Sequence, residues 1–265
     1  MNIVLCHGIL GFSKLDFKKF GKVEYFRDVV KHFRDDRKHN VITPRVDPTQ
    51  GVEFRGSQLR RQIEQAFDNG ALAARHPTHI IAHSMGGLDS RFILSPKNEK
   101  HIQLPIRSLT TIGTPHRGSL IADLLDKPAH LGPAAALAIK TFEAGLNHVG
   151  ISLDGLRNLT TDSCLAFDSK FTDHEGVDYF YIAGAGTDQT SALLAPLQAL
   201  IRAQTGEVND GLVAVSSARR GGLDVTTWPV DHAGEVGYDL NNLLAPAPAG
   251  HLERYDQILS KLAGL

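Results

Sequence analysis

Apolar positions along this chain follow two rhythms. Short, nearly unbroken apolar or β-branched runs occur at residues 2–6, 40–43, 79–82, 108–112, 178–183 and 224–228. Runs of this length and composition predict strands buried on both faces. Between them lie stretches with apolar residues at helical spacing, predicting helices over 23–33, 56–74, 85–94, 119–125, 153–167, 193–204 and 252–262. In the last, Leu252, Tyr255, Leu259 and Leu262 share one stripe, a packing face. Strand and helix alternating along a chain predict an α/β fold with a mostly parallel central sheet and helices on both faces. No Pro-, Gly- or Ser-rich linker divides the chain. We therefore expect one domain over 1–265, with an insertion near 119–152 that breaks the rhythm. Residues 131–139 form a mild apolar run there, and Phe142, Leu146 and Val149 continue it at helical spacing. The insertion is either an ordinary core helix pair or a small helical cap over a site.

One junction carries candidate chemistry. In Ile80-Ile81-Ala82-His83-Ser84-Met85-Gly86-Gly87-Leu88, a strand runs into a helix through a serine with small residues two places to either side. Such a turn is sharp, brings helix and strand close together, and pushes one hydroxyl into the open. The plain alternative is a serine that only caps the helix. As a nucleophile, Ser84 needs a base, an acid and an oxyanion site.

Thirteen histidines are available. His232 stands in the loop after the last strand, at the end of an α/β sheet where reacting groups collect. His251 competes, but its place before the C-terminal helix reads as a cap or an exposed residue. His83, next to Ser84 on a strand, faces the opposite way. For the acid, Asp210 lies in the turn Asn209-Asp210-Gly211, with Asp231 and Asp188 as alternatives. The chain order Ser84, Asp210, His232 is that of an α/β-hydrolase. Oxyanion N–H groups are expected from Met85, after the serine, and from Ile9, in the loop after the first strand.

Charge and cysteine content narrow the classes. The formal net charge of -1 offers no field for nucleic acid. No apolar run approaches the roughly 20 residues of a membrane span. The mixed-charge cluster at 31–38 reads as a solvated helix end. Cys6 and Cys164 read as reduced packing residues. The first residues enter a strand at once, without the pattern of a cleaved signal. The expectation is a cytoplasmic protein, or one secreted without such a signal.

Several segments together resemble the bacterial true lipases, the triacylglycerol lipases of the α/β-hydrolase superfamily. They are His7-Gly8-Ile9-Leu10-Gly11-Phe12, Ala82-His83-Ser84-Met85-Gly86-Gly87, Ile112-Gly113-Thr114-Pro115-His116-Arg117-Gly118-Ser119 and Asn209-Asp210-Gly211-Leu212-Val213. Residues 52–59 are similar to that family's Glu-x-x-Arg-Gly segment, and 156–161 to the helix after its lid. The resemblance implies Ser84 as nucleophile, Asp210 as acid, His232 as base, and Ile9 and Met85 as oxyanion donors. It also implies a lid and hydrolysis of carboxylic esters, with Leu10 and Phe12 holding the acyl chain of an ester or lipid substrate, including one at a lipid–water interface.

Many members of that family hold calcium through an aspartate matching Asp154 and another two places after the histidine. Here the second position is Gly234, so no cofactor or metal is expected. The same triad would serve acyl transfer or thioester and amide hydrolysis, and a non-catalytic binding module on this fold is the reading from another class.

Overall fold

A computed structural model describes residues 1–9, 24–128, 131–148, 153–221 and 225–265. Six strands form one sheet: β1 (Asn2–Cys6), β2 (Asn40–Ile42), β3 (Thr78–His83), β4 (Ile106–Ile112), β5 (Asp178–Gly184) and β6 (Val225–Trp228). Their order is β2-β1-β3-β4-β5-β6, and every neighbouring pair is parallel. From β1 the chain steps outward to β2, returns to β3 on the other side of β1, and continues to β6. The reversal opens a crevice beyond the carboxyl ends of β1 and β3, where ligands bind in open α/β sheets.

The helices are α1 (Val29–Lys31), α2 (Val52–Asp68), α3 (Met85–Leu94), α4 (Leu120–Asp126), α5 (Pro133–His148), α6 (Leu153–Arg157), α7 (Thr161–Lys170), α8 (Ala195–Thr205), α9 (Val215–Arg219) and α10 (His251–Leu262). They cover both faces of the sheet. Alternate residues of a strand point to opposite faces, and β1 and β3 divide accordingly. Val4, Cys6, Ile80 and Ala82 join one core with Leu59 and Ile63 of α2 and Leu88 and Phe92 of α3. Ile3, Leu5 and Ile81 join the other, with Phe26, Phe33, Trp228, and Tyr255 and Ile258 of α10. Burying each large side chain contributes about 1.5–3 kcal/mol, so unbroken apolar runs are what a two-faced sheet requires.

Three predicted helices differ. The one expected over 56–74 is displaced and runs from Val52 to Asp68, with 69–74 outside it. The one expected over 153–167 is broken between α6 and α7. Thr160 turns to an extended backbone and its hydroxyl accepts the Ser163 N–H, restarting the helix, while Asn158 accepts the N–H of Val52 across the fold. The helix expected over 23–33 contains only α1 in helical form, followed by a wider π turn over His32–Asp36. The mixed-charge cluster is also more than a solvated end: His32 and Arg37 both pair with Asp256 of α10.

Within the expected insertion, α5 turns Ile139, Phe142 and Leu146 inward, while Leu137 is 66% exposed. Among the described residues, no helix is long and apolar enough to cross a membrane.

Candidate active site

Ser84 sits between β3 and α3 with φ 54° and ψ -133°, a backbone conformation that non-glycine residues rarely adopt. Surrounding bonds hold it there. Its N–H donates to Ile112 O (2.9 Å), and its carbonyl accepts Gly87 N–H (3.0 Å) and the Thr114 hydroxyl (2.7 Å). The side chain makes no capping bond, so the helix-cap alternative does not describe it. The small residue at 86 is a steric necessity: a Cβ there would stand 2.7 Å from the carbonyl oxygen of Cys6 and 2.8 Å from that of His7. Ala82 fits at the other flank, fully buried.

His232 reaches this hydroxyl. Its Nε2 lies 3.0 Å from Ser84 Oγ, and its Nδ1 lies 2.7 Å from Asp210 Oδ2. Asp210 is itself held in place, because its Oδ1 accepts the N–H groups of Leu212 (2.8 Å) and Val213 (2.7 Å). Its carbonyl accepts the N–H of His232 (2.9 Å), which joins the two loops directly. Asp210 is wholly buried, Ser84 and His232 nearly so. The arrangement suits proton transfer from Ser84 to His232, with Asp210 fixing the ring and balancing its charge.

His7, Gly8 and Ile9, directly after β1, border the site. Gly8 packs so tightly that a Cβ would lie 2.6 Å from Ser84 Cβ. Ile9 is buried and lines the cavity beside Ser84. Met85 opens α3, where N-terminal amides have no partner inside the helix. His7 anchors the loop. Val46 N–H donates to its Nε2 (3.1 Å), so Nδ1 carries the proton and donates to Gly8 O (2.8 Å). Burial, reinforced by the Arg55 charge, lowers His7 to about 4, so it is neutral near pH 7. Arg55 of α2 binds His7 O (2.9 Å), Asp47 O (2.9 Å) and Asp89 (2.7 Å) at zero exposure. The Glu53-Phe54-Arg55-Gly56 segment marks the position in sequence; the bond from Arg55 to His7 emerges only in three dimensions.

Behind His232 lies a polar cluster that sequence reasoning missed. Glu235, on the short 3-10 turn after His232, places Oε2 2.8 Å from His83 Nε2 and 3.4 Å from His232 Nδ1. Tyr25 Oη lies 2.6 Å from His83 Nδ1 and accepts the N–H of Gly8 (3.0 Å). The His83 and His232 ring centroids are 4.5 Å apart. Burial, with the charges of Asp210 and Asp231, raises the Glu235 carboxyl well above the usual carboxylate range. Burial and His232 lower His83 well below the usual imidazole value. The three-residue spacing from His232 was the one available signal for Glu235, and it is too common to select on.

In front of Ser84 and His232 lies a small apolar cavity of about 40 Å³, lined by Ile9, Phe142, Leu146, Leu156, Leu212 and Val213 among others. The remaining predicted residues distribute as follows. Leu10 and Phe12, expected to hold the acyl chain, lie outside the described residues. Asp188 is exposed on the surface. Asp231 commits its carboxylate to the N–H groups of Ser191 (2.9 Å) and Gly234 (2.8 Å). His251 is neither a cap nor exposed: at the start of α10 it is buried, 2.9 Å from Arg27 O and beside Gly237 and the Tyr255 ring. Cys6 and Cys164 are free, buried thiols, each pushed up to about 12 by burial.

No protein-family model matches the chain. Triacylglycerol lipase 2 of Saccharomyces cerevisiae is 27% identical over 89% of this chain and 80% of its own length. The triacylglycerol lipase of Vibrio cholerae serotype O1 is 28% identical over 88% of this chain and 78% of its own length. The chain is a homologue of triacylglycerol lipases. The crystal structure of Staphylococcus hyicus lipase superposes with a TM-score of 0.67 at 16% identity, covering 98% of this chain and 95% of that one. That likeness shows the fold of this lipase homologue to be the α/β-hydrolase fold.

At the calcium position that the resemblance expects two places after the histidine stands Gly234. Gly234 offers no side-chain oxygen, and a Cβ there would lie 2.9 Å from Val230 Cβ. The neighbouring Asp231 carboxylate is already satisfied by two amides, and the side chain of Asp154 lies outside the described residues. His83, His232 and Glu235 bring donor atoms within 4.8 Å of one another, but His83 and Glu235 hydrogen-bond each other and His232 bonds Asp210 and Ser84.

Proposed function

We propose that this chain is a serine hydrolase of carboxylic esters, a lipase or esterase acting on acylglycerols or other fatty acyl esters. The observation that carries the reading is His232 between Ser84 Oγ at 3.0 Å and Asp210 Oδ2 at 2.7 Å, facing an apolar cavity. His232 Nε2 takes the Ser84 proton as Oγ attacks the ester carbonyl carbon. The carbonyl oxygen, now negative, rests on the N–H groups of Ile9 and Met85. His232 then protonates the leaving alcohol. Water repeats the sequence on the acyl-enzyme, releasing the acid and restoring Ser84.

The apolar cavity takes the start of the acyl chain. Its small volume, walled by Phe142 and Leu146 of α5, supports reading 119–152 as a cap that must shift for long chains. The test is hydrolysis of a p-nitrophenyl ester series by the wild type and by Ser84→Ala. Turnover should vanish in the variant, with its melting temperature and circular dichroism unchanged. Retained turnover in a folded Ser84→Ala protein would sink the assignment.

A further inference from the structure

The buried residues behind the triad form an unbroken chain of hydrogen-bonded groups. It starts at the amide of Gly8, next to the oxyanion donor Ile9, and passes to Tyr25 Oη (3.0 Å), His83 Nδ1 (2.6 Å from Oη) and, through His83 Nε2, to Glu235 Oε2 (2.8 Å). Glu235 ends beside His232 Nδ1, at 3.4 Å. His83 and Glu235 are almost wholly excluded from solvent. Breaking one of their hydrogen bonds would therefore leave a buried polar group unsatisfied, with no water to replace the partner.

We propose that Tyr25, His83 and Glu235 are positioning residues that lock the oxyanion loop to the triad base, with Glu235 acting as a neutral hydrogen-bond donor to His83 rather than as a second carboxylate for His232. This inference rests on the esterase reading above. Two features of the surroundings support the neutral form. Asp210 already supplies the negative charge at His232 Nδ1, and its Oδ2 is closer than Glu235 Oε2, 2.7 against 3.4 Å. A second buried charge so close to the first would be repelled, and Asp231 adds to that repulsion. The backbone of Gly184 and the charge of Arg254 of α10 act in the opposite sense but are outweighed; His83 of β3 bonds the carboxyl, Tyr25 stands beyond it, and Tyr255 of α10 donates to the Glu235 carbonyl.

A neutral Glu235 also organises the protons. A carboxyl proton on Oε2 donates to His83 Nε2. His83 Nδ1 then carries the ring proton and donates to Tyr25 Oη, which also accepts from Gly8. The direction of every bond from Glu235 to Tyr25 is thereby set. Gly8 cannot drift, because Ser84 and Tyr25 hold it on both sides: a Cβ there would be 2.6 Å from Ser84 Cβ and 2.9 Å from Tyr25 Oη. Misplacing an oxyanion donor slows the chemical step without weakening ground-state binding.

The test uses the whole chain, with p-nitrophenyl butyrate as substrate and Tyr25→Phe, Glu235→Gln and Glu235→Ala as variants. Tyr25→Phe should lower kcat by about 10-fold with KM within about two-fold, the signature of an interaction made in the transition state. Glu235→Ala should lower kcat by about 100-fold. Glu235→Gln, a neutral donor of the same shape, should recover most of that loss and leave the acid limb of the kcat/KM profile in place. The chain is overturned if Tyr25→Phe keeps the wild-type kcat. The neutral role is overturned if Glu235→Gln is as damaged as Glu235→Ala and its acid limb moves. If Tyr25→Phe fails to fold, His83→Asn breaks the next link and is read the same way. Ser84→Ala separates the two ideas: turnover surviving in that variant removes the esterase reading, whereas turnover abolished there and a full kcat in Tyr25→Phe removes only the chain.

Discussion

Ser84 faces two unlike walls. Behind it, Tyr25, His83 and Glu235 meet at 2.6–2.8 Å, His232 and Asp210 at 2.7 Å, and Glu235 comes within 3.4 Å of His232. In front, Ile9, Phe142, Leu146, Leu156 and Leu212 surround a cavity with almost no polar lining. Hydrogen bonds are directional and expensive to leave unmade, so the rear wall has one workable arrangement. Apolar packing is non-directional and accepts changes of shape at modest cost, so the front wall can adapt to different acyl chains. On the proposed reading, the chemistry rests on the first wall and the selectivity on the second.

The strongest way to break that division is at the rear wall. His232→Ala should lower kcat by about 10⁵-fold or more while changing KM little, measured by steady-state kinetics on a short ester. A drop of less than about 100-fold would place the base elsewhere. Next in size is the effect of acid on folding. His7 is lowered to about 4 by burial, as is His79, and His83 and His116 lie well below the usual imidazole value. Depressed folded-state values mean stability that is full above the unfolded value of 6.5 and is lost as pH falls toward 4. Asp89, raised to about 6 by burial, and Glu235, raised well above the usual carboxylate range, work in the opposite sense, losing stability as pH rises. His39 and His251 are lowered by burial too, and Asp168 and Asp256 are held low, against burial, by their arginine partners, so the groups that gain stability as pH rises outnumber the two raised carboxyls and the net slope is positive. The melting temperature should therefore rise from pH 4 to 6.5, by roughly 5–10 °C. A flat profile would contradict the neutral histidines.

Between the walls, Gly86→Ala pushes a methyl group against the carbonyls of Cys6 and His7. We expect a loss of about 1–3 kcal/mol in chemical denaturation, with activity falling alongside as Ser84 shifts. The smallest effect belongs to the front wall. Phe142→Ala should leave kcat on acetate esters within about three-fold and move the preference toward longer acyl chains by about 10-fold. An equal loss on all chain lengths would mean that Phe142 supports the fold rather than sorting substrates.

The strands are the most legible part of the chain. A strand buried on both faces is rich in apolar and β-branched residues; β1 announces itself in this way, and β3 and β4 do so through their Ile, Leu and Thr positions. Helix α3 matches its expected span residue for residue, because the junction at Ser84 defines its start. Where the pattern misleads, side chains from afar intervene. Thr160 restarts a helix within the predicted 153–167 segment, while Asn158 reaches Val52. Packing, not propensity, buries His251 at the start of α10, against Arg27 and Gly237.

By itself the sequence determined the alternation of strands and helices, the small residues that make the Ser84 turn possible, and the order of Ser84, Asp210 and His232. These depend on local sterics and on periodicity, which neighbours in the chain carry. Only the tertiary structure decided that Asp210 and not Asp231 or Asp188 faces His232, and that Tyr25 and Glu235 meet across His83. The Tyr25–His83 and His83–Glu235 bonds join residues 58 and 152 positions apart. No local rule selects such partners; the common crevice of β1 and β3, and the cost of leaving buried polar groups unpaired, do.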